Sequence, residues 1–380
     1  MKKYIPYIKD FFHRADIVLL ALCCICTIFG MVLISSATAS YGNSARFLIV
    51  QTGAFIIGLG LFVVLTVIDI DILADKWPLL FGFAVFLLLL LVPFGEAGDT
   101  GNKGWLRFAG IGIQPSEVVK IIYIVLMARH VSYLREFRNL QSPFSVVQVA
   151  VHFGFFFVLI VMISDDLGSA LVFFFIAVVM LFAAGLRLLW FLIGAAGVAA
   201  VSPILWNFFL REDQKNRILA PYVESVDPSG FDVTWQARQS KLALASGQLT
   251  GTGLYQGPQS QSDAIPQKHT DFIFAVAGEE LGMIACILII VLLMLIVLRC
   301  IYIGIKCKNT TGMLVCFGVA STVLFQTFIN TGMCIGITPV IGITLPYFSY
   351  GGSSLFAMFA AAGLVSGIRY RPKPERFRRY

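Results

Sequence analysis

The chain has 380 residues, of which 58% are hydrophobic and only 13% are charged, and its mean hydropathy is +0.86. Soluble domains are about half apolar and a quarter charged, so this composition excludes an ordinary soluble protein and predicts an integral membrane protein. The formal net charge of +7 comes mainly from short segments between apolar runs, where basic residues set membrane orientation, and nucleic-acid binding is not expected.

Ten apolar runs are long enough to cross a hydrocarbon core of about 30 Å. They cover residues 17–37, 47–67, 77–94, 114–134, 146–164, 166–186, 187–207, 271–299, 311–334 and 350–368. We therefore expect an all-α polytopic membrane protein with about ten transmembrane helices, organised as a single domain over residues 1–380. Eight cysteines lie in or near these runs and none lies in the large polar loop, so neither a disulfide framework nor a zinc site is expected.

Basic residues outside the runs predict the orientation of the chain. They occur in the N-terminal segment, near residues 135–138, 187 and 306–308, and in the tail 369–380, which all share one side if there are ten spans. The positive-inside rule places that side, and both termini, in the cytoplasm. Residues 208–270 then form one large extracytoplasmic loop, and the basic tail is expected to contact anionic membrane lipids.

The outer loop before the fourth run combines basic and aromatic side chains. Trp105 and Arg107 precede Pro115, which fits the first position of a helix, and Glu117 fits a position where an acid favours the helix dipole. Lys120 follows three residues later and can pair with Glu117. Two interpretations stay open: a capped helix with an internal ion pair, or a patch of Trp105, Arg107 and Lys120 that binds an anionic headgroup.

Two adjacent acids, Asp165 and Asp166, lie at the outer end of the fifth run, where the sixth run begins. They would either solvate the membrane interface, or Asp166 would hold a broken helix or face a polar cavity. The second interpretation draws on Gly168 and Ser169, because small residues permit a close approach of helices.

Ionisable residues concentrate at the entrance of the eighth run, which reads KHTDFIFAVAGEELG over residues 268–282. An Asp at the centre of a membrane helix costs roughly 2.5 to 3.5 kcal/mol on insertion scales, so several acids together require pairing, water or a function. Asp271 is then either an N-terminal helix cap or a functional group, serving as general base or metal ligand. His269 and Thr270 lie beside it, and Lys241 and Lys268 make the loop attractive to an anionic, membrane-tethered substrate.

Two further acids, Glu279 and Glu280, lie deeper in this run. At 100° per residue of a continuous helix, Glu279 would lie about 80° from Asp271 and Glu280 roughly opposite. We therefore expect only Glu279 to share a cavity with Asp271. The last run opens with SYGGSS, residues 349–354, where hydroxyls and helix N-terminal amides suit a phosphate, although capping and tight packing explain them almost as well.

Five of these segments together resemble one family. They are QPSEVVK, DLGSALV, QSKLALASGQLTGTGLYQGPQSQ, KHTDFIFAVAGEELG and LPYFSYGGSS. They occur in the order, and at roughly the spacing, of the shape, elongation, division and sporulation (SEDS) family, which includes RodA and FtsW. The resemblance implies a ten-span peptidoglycan glycosyltransferase that polymerises lipid II and works with a class B penicillin-binding protein as its transpeptidase.

The resemblance also implies site residues. Asp271 matches the essential catalytic acid of the HTDF motif, and Glu117, Lys120, Asp166 and residues 349–354 match family positions. Asp165 departs from the family, which often has proline there, as do Gln267 and Lys268, where glutamate often precedes HTDF. The candidate substrate-binding residues around Asp271 are Trp105, Arg107, Glu117, Lys120, Asp166, Lys241, Lys268, His269, Thr270, Glu279 and Ser353. The short N-terminus and the SQSQ-like stretch are closer to the elongation branch than to the division branch.

We therefore expect a lipid II polymerase at the outer face of the bacterial cell membrane. Asp271 would deprotonate the acceptor sugar hydroxyl, and Arg107, Lys120, Lys241 or Lys268 would hold the pyrophosphate. A divalent cation, Mg²⁺ or Mn²⁺, would help to neutralise the leaving group, although the sequence shows no metal cage. Two alternatives stay open: a lipid II flippase whose headgroup path includes Glu117, Lys120, Glu279 and Glu280, and a non-catalytic scaffold for the transpeptidase.

Overall fold

The structure is a computed structural model that describes residues 11, 13–96, 103–108, 111–231, 234–262 and 264–370. Its helices are, in chain order, α1 Ile17–Ala37, α2 Ser44–Val67, α3 Ile70–Asp75, α4 Trp77–Leu89, α5 Leu91–Phe94, α6 Pro115–Phe137, α7 Pro143–Ser164, α8 Leu167–Ala183, α9 Leu188–Ile204, α10 Glu212–Leu219, α11 Trp235–Gly247, α12 Ile273–Lys306, α13 Thr310–Ile335 and α14 Gly352–Tyr370. A small antiparallel hairpin, β1 Leu106–Phe108 and β2 Ile111–Ile113, precedes α6. The first ten residues, and residues 371–380 of the predicted tail, lie outside the described part of the chain.

Eight helical segments of the described chain are long and apolar enough to cross a membrane. They are α1, α2, α4 with α5, α7, α9 with the π-helical turn that follows it, α12, α13 and α14. Helices α6 and α8 occupy the other two predicted positions, but α8 has only 17 residues and α6 carries several charged side chains. The all-α, multi-pass membrane class is confirmed, while the count of ten spans stays a prediction.

Helix α14 is the most enclosed of the candidate spans, and it packs closely on α2. A Cβ atom on Gly363 would lie 2.8 Å from backbone atoms of Phe62, and one on Gly367 would lie 2.8 Å from the carbonyl oxygen of Leu65. Small residues at these positions let the two backbones approach, which is how membrane helices gain packing energy without a hydrophobic driving force. The contact joins the C-terminal half of α14 to the C-terminal half of α2.

The junction between α7 and α8 is a helix break made by two adjacent acids. Asp165 ends α7 with a left-handed backbone (φ 54°), and Asp166 is the N-cap of α8, where its carboxylate accepts a 2.9 Å hydrogen bond from the Ser169 N–H. This confirms that Asp166 holds a broken helix. The Asp165 carboxylate accepts hydrogen bonds from Arg211 and Gln214 of the large loop.

Helix α12 is interrupted near its outer end. Gly282 has φ 77° and ψ −177°, a conformation that side chains disfavour, and a Cβ there would lie 2.3 Å from the Leu249 carbonyl oxygen. The backbone of residues 248–253 inserts at this break. The Thr252 N–H donates to the backbone carbonyl of Glu279, and the Gly253 N–H donates to the backbone carbonyl of Glu280. The prediction of one continuous helix from residue 271 is therefore wrong, because this segment replaces part of the ordinary helical hydrogen bonding.

Candidate functional site

Asp271 lies in a non-helical turn just before α12. The backbone N–H groups of Thr270 and Asp271 both donate to the Gln267 carbonyl at 3.1 Å, and Gln267 itself has φ 53°. The N-cap of α12 is Phe272, and no side chain caps this helix. The structure therefore contradicts the interpretation of Asp271 as a helix cap and leaves its carboxylate available for another role.

The backbone of the HTD segment is fixed by elements distant in sequence. The Asn330 side chain on α13 donates to the Asp271 carbonyl at 2.7 Å, and the Ser349 hydroxyl donates to the Thr270 carbonyl at 2.6 Å. The N–H of residue 350 donates to the His269 carbonyl at 2.8 Å. Three successive carbonyl groups are thus held, which orients the Asp271 side chain without using its carboxylate.

Asp271 faces a cavity of about 570 Å³ at the ends of the helices that the positive-inside rule predicts to be outer, and we call it the outer cavity. Five of the predicted site residues line it: Trp105, Arg107, Asp166, Thr270 and Asp271. Residues 350–352 of the predicted SYGGSS segment also line it. The wall further contains residues that the sequence analysis did not assign to the site: Gln114, Arg217, Phe231, Trp235, Gln236 and Gln267. The cavity therefore combines acidic, cationic, amide and aromatic groups, a set suited to an anionic ligand that carries sugar rings.

Burial, together with a smaller effect of the negative charge of nearby Asp166, raises the pKa of Asp271 from its ordinary value to about 6, although the Thr270 hydroxyl acts in the opposite direction. Asp271 lies in the outer turn, outside the spanning part of α12. A carboxylate with a pKa close to neutral is ionised at physiological pH yet accepts a proton readily. Asp271 therefore has the protonation behaviour of a general base.

Asp166 forms a second acidic group in the outer cavity. It is 7% exposed, and its oxygens accept hydrogen bonds from the Ser169 N–H and hydroxyl and from the Gln114 side chain at 3.1 Å. The Gln114 N–H in turn donates to the Ser353 hydroxyl at 3.2 Å. Ser353 is buried and absent from the cavity wall, so the structure makes it a support for Gln114 and not a phosphate ligand.

Glu117 and Lys120 form a buried ion pair, with both carboxylate oxygens 2.9 Å from the ammonium nitrogen. This confirms the interpretation of an internal pair on α6. Neither side chain lines the outer cavity, so Lys120 does not reach a headgroup there. The pair lies close enough for its charges to act on Asp166, and Ser116 and Ser169 bring α6 and α8 into contact with hydroxyls 3.5 Å apart.

Two lysines predicted to hold pyrophosphate are placed elsewhere. Lys268 is fully buried, and its ammonium group donates to the Ser40 hydroxyl at 2.8 Å and to the carbonyls of Ser260 and Ser262 at 2.7 and 2.8 Å. Lys241 is exposed on α11, where it lies against Gly336 at the end of α13. Neither lysine lines the outer cavity. The Lys268 ammonium group, which is buried and donates three hydrogen bonds, also has little capacity left for substrate.

His269 and Glu279 are the other predicted site residues that do not line the cavity. The His269 ring packs among the rings of Tyr41, Phe47 and Tyr350, with centroids 5.0–5.5 Å apart. The ring therefore packs against aromatic neighbours and does not border the outer cavity.

Glu279 binds a folded-back segment, residues 248–262, which we call the anchored loop. Its carboxylate accepts hydrogen bonds from the Gln259 N–H at 2.9 Å, from the Ser260 N–H at 2.7 Å and from the Ser260 hydroxyl. Glu280 accepts from the Ser36 hydroxyl at 2.6 Å and from the Tyr255 N–H at 3.2 Å. The prediction that Glu279 shares the Asp271 cavity is wrong, because the turn before α12 is not helical and the anchored loop occupies the space beside Glu279.

Most of the residues that sequence reasoning missed come from the large outer loop. Arg217 lies in the last turn of α10, and Phe231 and Trp235 stack with ring centroids 5.2 Å apart and planes at 25°. Large aromatic rings inside an otherwise polar loop were the available signal, because such rings need a packing partner or a ligand. Arg217 and Arg107 are the cationic groups of the cavity wall.

No group of three or more His, Cys, Asp or Glu side chains that could hold a metal ion occurs among the described residues. Asp166 and Asp271 line the same cavity, but the Asp166 oxygens already accept hydrogen bonds from Ser169 and Gln114. These residues alone do not form a metal cage.

A family model and curated proteins match nearly the whole chain. The model of the FtsW, RodA and SpoVE cell cycle protein family matches residues 16–373. Peptidoglycan glycosyltransferase MrdB of Escherichia coli (strain K12) is 32% identical over 367 residues, covering 96% of this chain and 95% of that protein. Probable peptidoglycan glycosyltransferase FtsW of Geobacter sulfurreducens (strain ATCC 51573 / DSM 12127 / PCA) is 33% identical over 372 residues, covering 95% and 96%.

Solved structures share the fold. A chain from the work described as "Structural coordination of polymerization and crosslinking by a peptidoglycan synthase complex" superposes with a TM-score of 0.77 at 26% identity, covering 93% of this chain and 97% of that chain. Rod shape determining protein RodA of Thermus thermophilus superposes with a TM-score of 0.68 at 24% identity, covering 95% and 98%. The overall helical fold of this chain is therefore one that solved structures also adopt.

Proposed function

The chain belongs to the FtsW, RodA and SpoVE cell cycle protein family, and from that premise we propose that it is a peptidoglycan glycosyltransferase which polymerises lipid II at the outer face of the bacterial cell membrane. The observation that carries the proposal is the position of Asp271. Its carboxylate does not cap a helix, has a pKa raised to about 6 and faces a cavity with the groups a lipid-linked sugar requires.

Asp271 is the general base of the proposed reaction. It accepts the proton of the acceptor sugar hydroxyl as that oxygen attacks the anomeric carbon of the donor. The bond from the anomeric carbon to the pyrophosphate oxygen breaks, and undecaprenyl pyrophosphate leaves with the bonding electrons. A positioned base typically contributes 10²- to 10⁴-fold to the rate, on the order of 3 to 5 kcal/mol of barrier.

Different residues of the cavity wall bind different chemical groups of the proposed substrate. Arg107 and Arg217 supply permanent positive charge for the pyrophosphate, and arginine suits phosphate oxygens because its donors form a planar fork. Trp105 and Trp235 present aromatic faces, on which the apolar faces of sugar rings pack. Gln114, whose amide is held by Asp166, presents polar atoms toward sugar hydroxyls.

Two further parts of the proposal concern a cation and a partner. A divalent cation, Mg²⁺ or Mn²⁺, would arrive with the pyrophosphate, because the described residues hold no metal cage of their own. The proposed proton transfer and sugar transfer do not depend on this cation.

A class B penicillin-binding protein is proposed as the partner transpeptidase, which agrees with the peptidoglycan synthase complex that contains the structural relative.

The test is lipid II polymerisation by the purified protein, with and without its cognate transpeptidase. Wild type is compared with Asp271→Ala and Asp271→Asn, and Asp165→Asn serves as the matched control because Asp165 is a neighbouring outer acid that is absent from the cavity wall. We expect glycan chains from wild type and the control, and a loss of at least 10²-fold in both Asp271 variants.

Thermal unfolding and co-purification with the transpeptidase show whether each variant is folded and assembled. Polymerisation at the wild-type rate by folded Asp271 variants would refute the role of Asp271. Inactivity of the partnered wild type would refute the polymerase proposal, and a lipid II transport assay would then test the flippase alternative.

A further inference from the structure

A second cavity, of about 440 Å³, lies at the opposite ends of the helices, and we call it the basic cavity. Its wall comes from the α2–α3 junction, from the end of α12 through the start of α13, and from the end of α14. Arg299 follows the start of α12 by 26 residues, which is roughly 40 Å along a helix. The basic cavity is therefore separate from the outer cavity, and the positive-inside rule predicts that it faces the cytoplasm.

Cations outnumber acids in the wall of the basic cavity. The cationic residues are Arg299, Lys306, Lys308 and Arg369. The acids are Asp69 and Asp71, and both are engaged by neighbouring groups: Asp71 accepts a 2.6 Å hydrogen bond from the Asn309 side chain, and Asp69 accepts one of 3.0 Å from the N–H of residue 71. The wall therefore carries an excess of positive charge toward the cavity.

A buried acid behind the wall orients the two arginines. Asp16 is fully buried and accepts hydrogen bonds from Arg299 Nε at 3.1 and 3.2 Å, and its Oδ2 lies 2.9 Å from both Arg299 Nη2 and Arg369 Nη1. One carboxylate faces two guanidinium groups, so one positive charge is not neutralised by Asp16. Each guanidinium also has further N–H donors, and these are held in a fixed geometry.

The two lysines complete the positive wall. The Lys306 ammonium group lies 4.3 Å from the centre of the Tyr302 ring and donates to the Tyr302 hydroxyl. Neither Lys306 nor Lys308 forms an ion pair with a carboxylate of the described chain. A concave site with pre-oriented guanidinium groups and unpaired ammonium groups is complementary to a phosphate.

We propose that the basic cavity binds a phosphate group, supplied by the headgroup of an anionic phospholipid of the cytoplasmic leaflet. Basic pockets between transmembrane helices on the cytoplasmic side are the usual sites for such headgroups. The site joins α1, α12 and α14, because Asp16 caps α1 while Arg299 and Arg369 belong to the other two helices. A bound headgroup stabilises this junction by mass action, since it binds the folded state and not the unfolded chain.

The proposal is tested by titrating the purified full-length protein, in a neutral detergent, with phosphatidylglycerol or phosphatidylcholine and following lipid retention by native mass spectrometry. Lys306→Gln, Lys308→Gln and the double variant are compared with wild type. The matched control is Lys76→Gln, an exposed lysine that follows α3 and is absent from the cavity wall. We expect phosphatidylglycerol to bind more tightly than phosphatidylcholine and to lose about fivefold in affinity for each lysine removed, with no change for Lys76→Gln.

Equal retention of phosphatidylglycerol by wild type and the double variant would overturn the proposal, as would an equal loss in Lys76→Gln. A parallel titration with inorganic phosphate, followed by thermal unfolding, distinguishes the two sources of phosphate. Inorganic phosphate could stabilise wild type but not the double variant, while phosphatidylglycerol binds no more tightly than phosphatidylcholine. This result would support the phosphate site and assign it to free phosphate.

Discussion

The Asn330 side chain on α13 donates one hydrogen bond to the carbonyl of Asp271 and another to the carbonyl of Ile343, both at 2.7 Å. One buried amide thus joins the turn that carries the candidate base to the segment that borders the same cavity. Because the hydrogen bond is made to the backbone of Asp271, it fixes the position of the carboxylate and leaves its oxygens free to accept a proton.

Asn330→Ala is therefore expected to reduce polymerisation about tenfold or more, since small displacements of a reacting group are costly. Leaving two buried carbonyls without a donor should also lower the free energy of unfolding by about 1–3 kcal/mol. Initial rates and thermal unfolding are the measurements. Thr331→Ala is the control, because that hydroxyl donates only within α13, and equal effects of both substitutions would refute the positioning role.

The rate of polymerisation should depend on the ionisation of Asp271. A base must be deprotonated to act, and its pKa of about 6 means that the rate rises as pH increases through 6 and levels off above about 7. Initial rates between pH 5 and pH 8, on protein shown to stay folded over that range, test this prediction. A rate independent of pH across this interval would contradict it.

Asp166→Asn should move that pH profile toward lower pH. The charge of Asp166 raises the pKa of Asp271, so its removal lowers this pKa and extends activity into more acidic conditions. Asparagine is also a good N-cap, so α8 should still begin at residue 167. The measurement is the apparent pKa on the acidic side of the pH–rate profile. An apparent pKa equal to that of wild type would show that the two carboxylates are not coupled.

Glu279→Gln should loosen the anchored loop without altering the base itself. The carboxylate accepts hydrogen bonds from two backbone N–H groups and from the hydroxyls of Ser246 and Ser260, and an amide reproduces only part of this pattern. We expect the free energy of unfolding to fall by about 1–3 kcal/mol, with faster hydrogen exchange confined to residues 248–262. The surface substitution Glu212→Gln, which breaks an exposed pair with Lys215, should change neither quantity measurably.

Lys268→Met distinguishes a structural lysine from a pyrophosphate ligand. Its ammonium group bonds Ser40 and two carbonyls of the anchored loop, so the substitution should lower the melting temperature and the rate together. Arg107→Gln, at an exposed position of the outer cavity, should instead raise KM with little change in melting temperature. An unchanged melting temperature for Lys268→Met would contradict the structural role and favour Lys268 as a substrate ligand.

Many features of this protein were determined by local sequence. The positions of the eight long apolar helices, the start of α6 at Pro115 and the pairing of Glu117 with Lys120 all depend on neighbouring residues. The first two were predicted, and the ion pair was one of the two interpretations that the sequence left open. Hydropathy and helix-end chemistry act within a few turns, so they can be read along the chain. The HTD motif likewise drew attention to Asp271 before any contact was known.

Tertiary structure decided which of the charged residues face the outer cavity. Lys268 bonds Ser40, Glu280 bonds Ser36 and Asn330 bonds Asp271, and the partners are separated by 59 to 244 residues. Sequence spacing could not reveal that Glu279 belongs to the anchored loop or that Arg217 and Trp235 border the site. A buried charge must be satisfied by whichever donor the packing of distant helices brings within about 3 Å, and only the folded chain defines that partner.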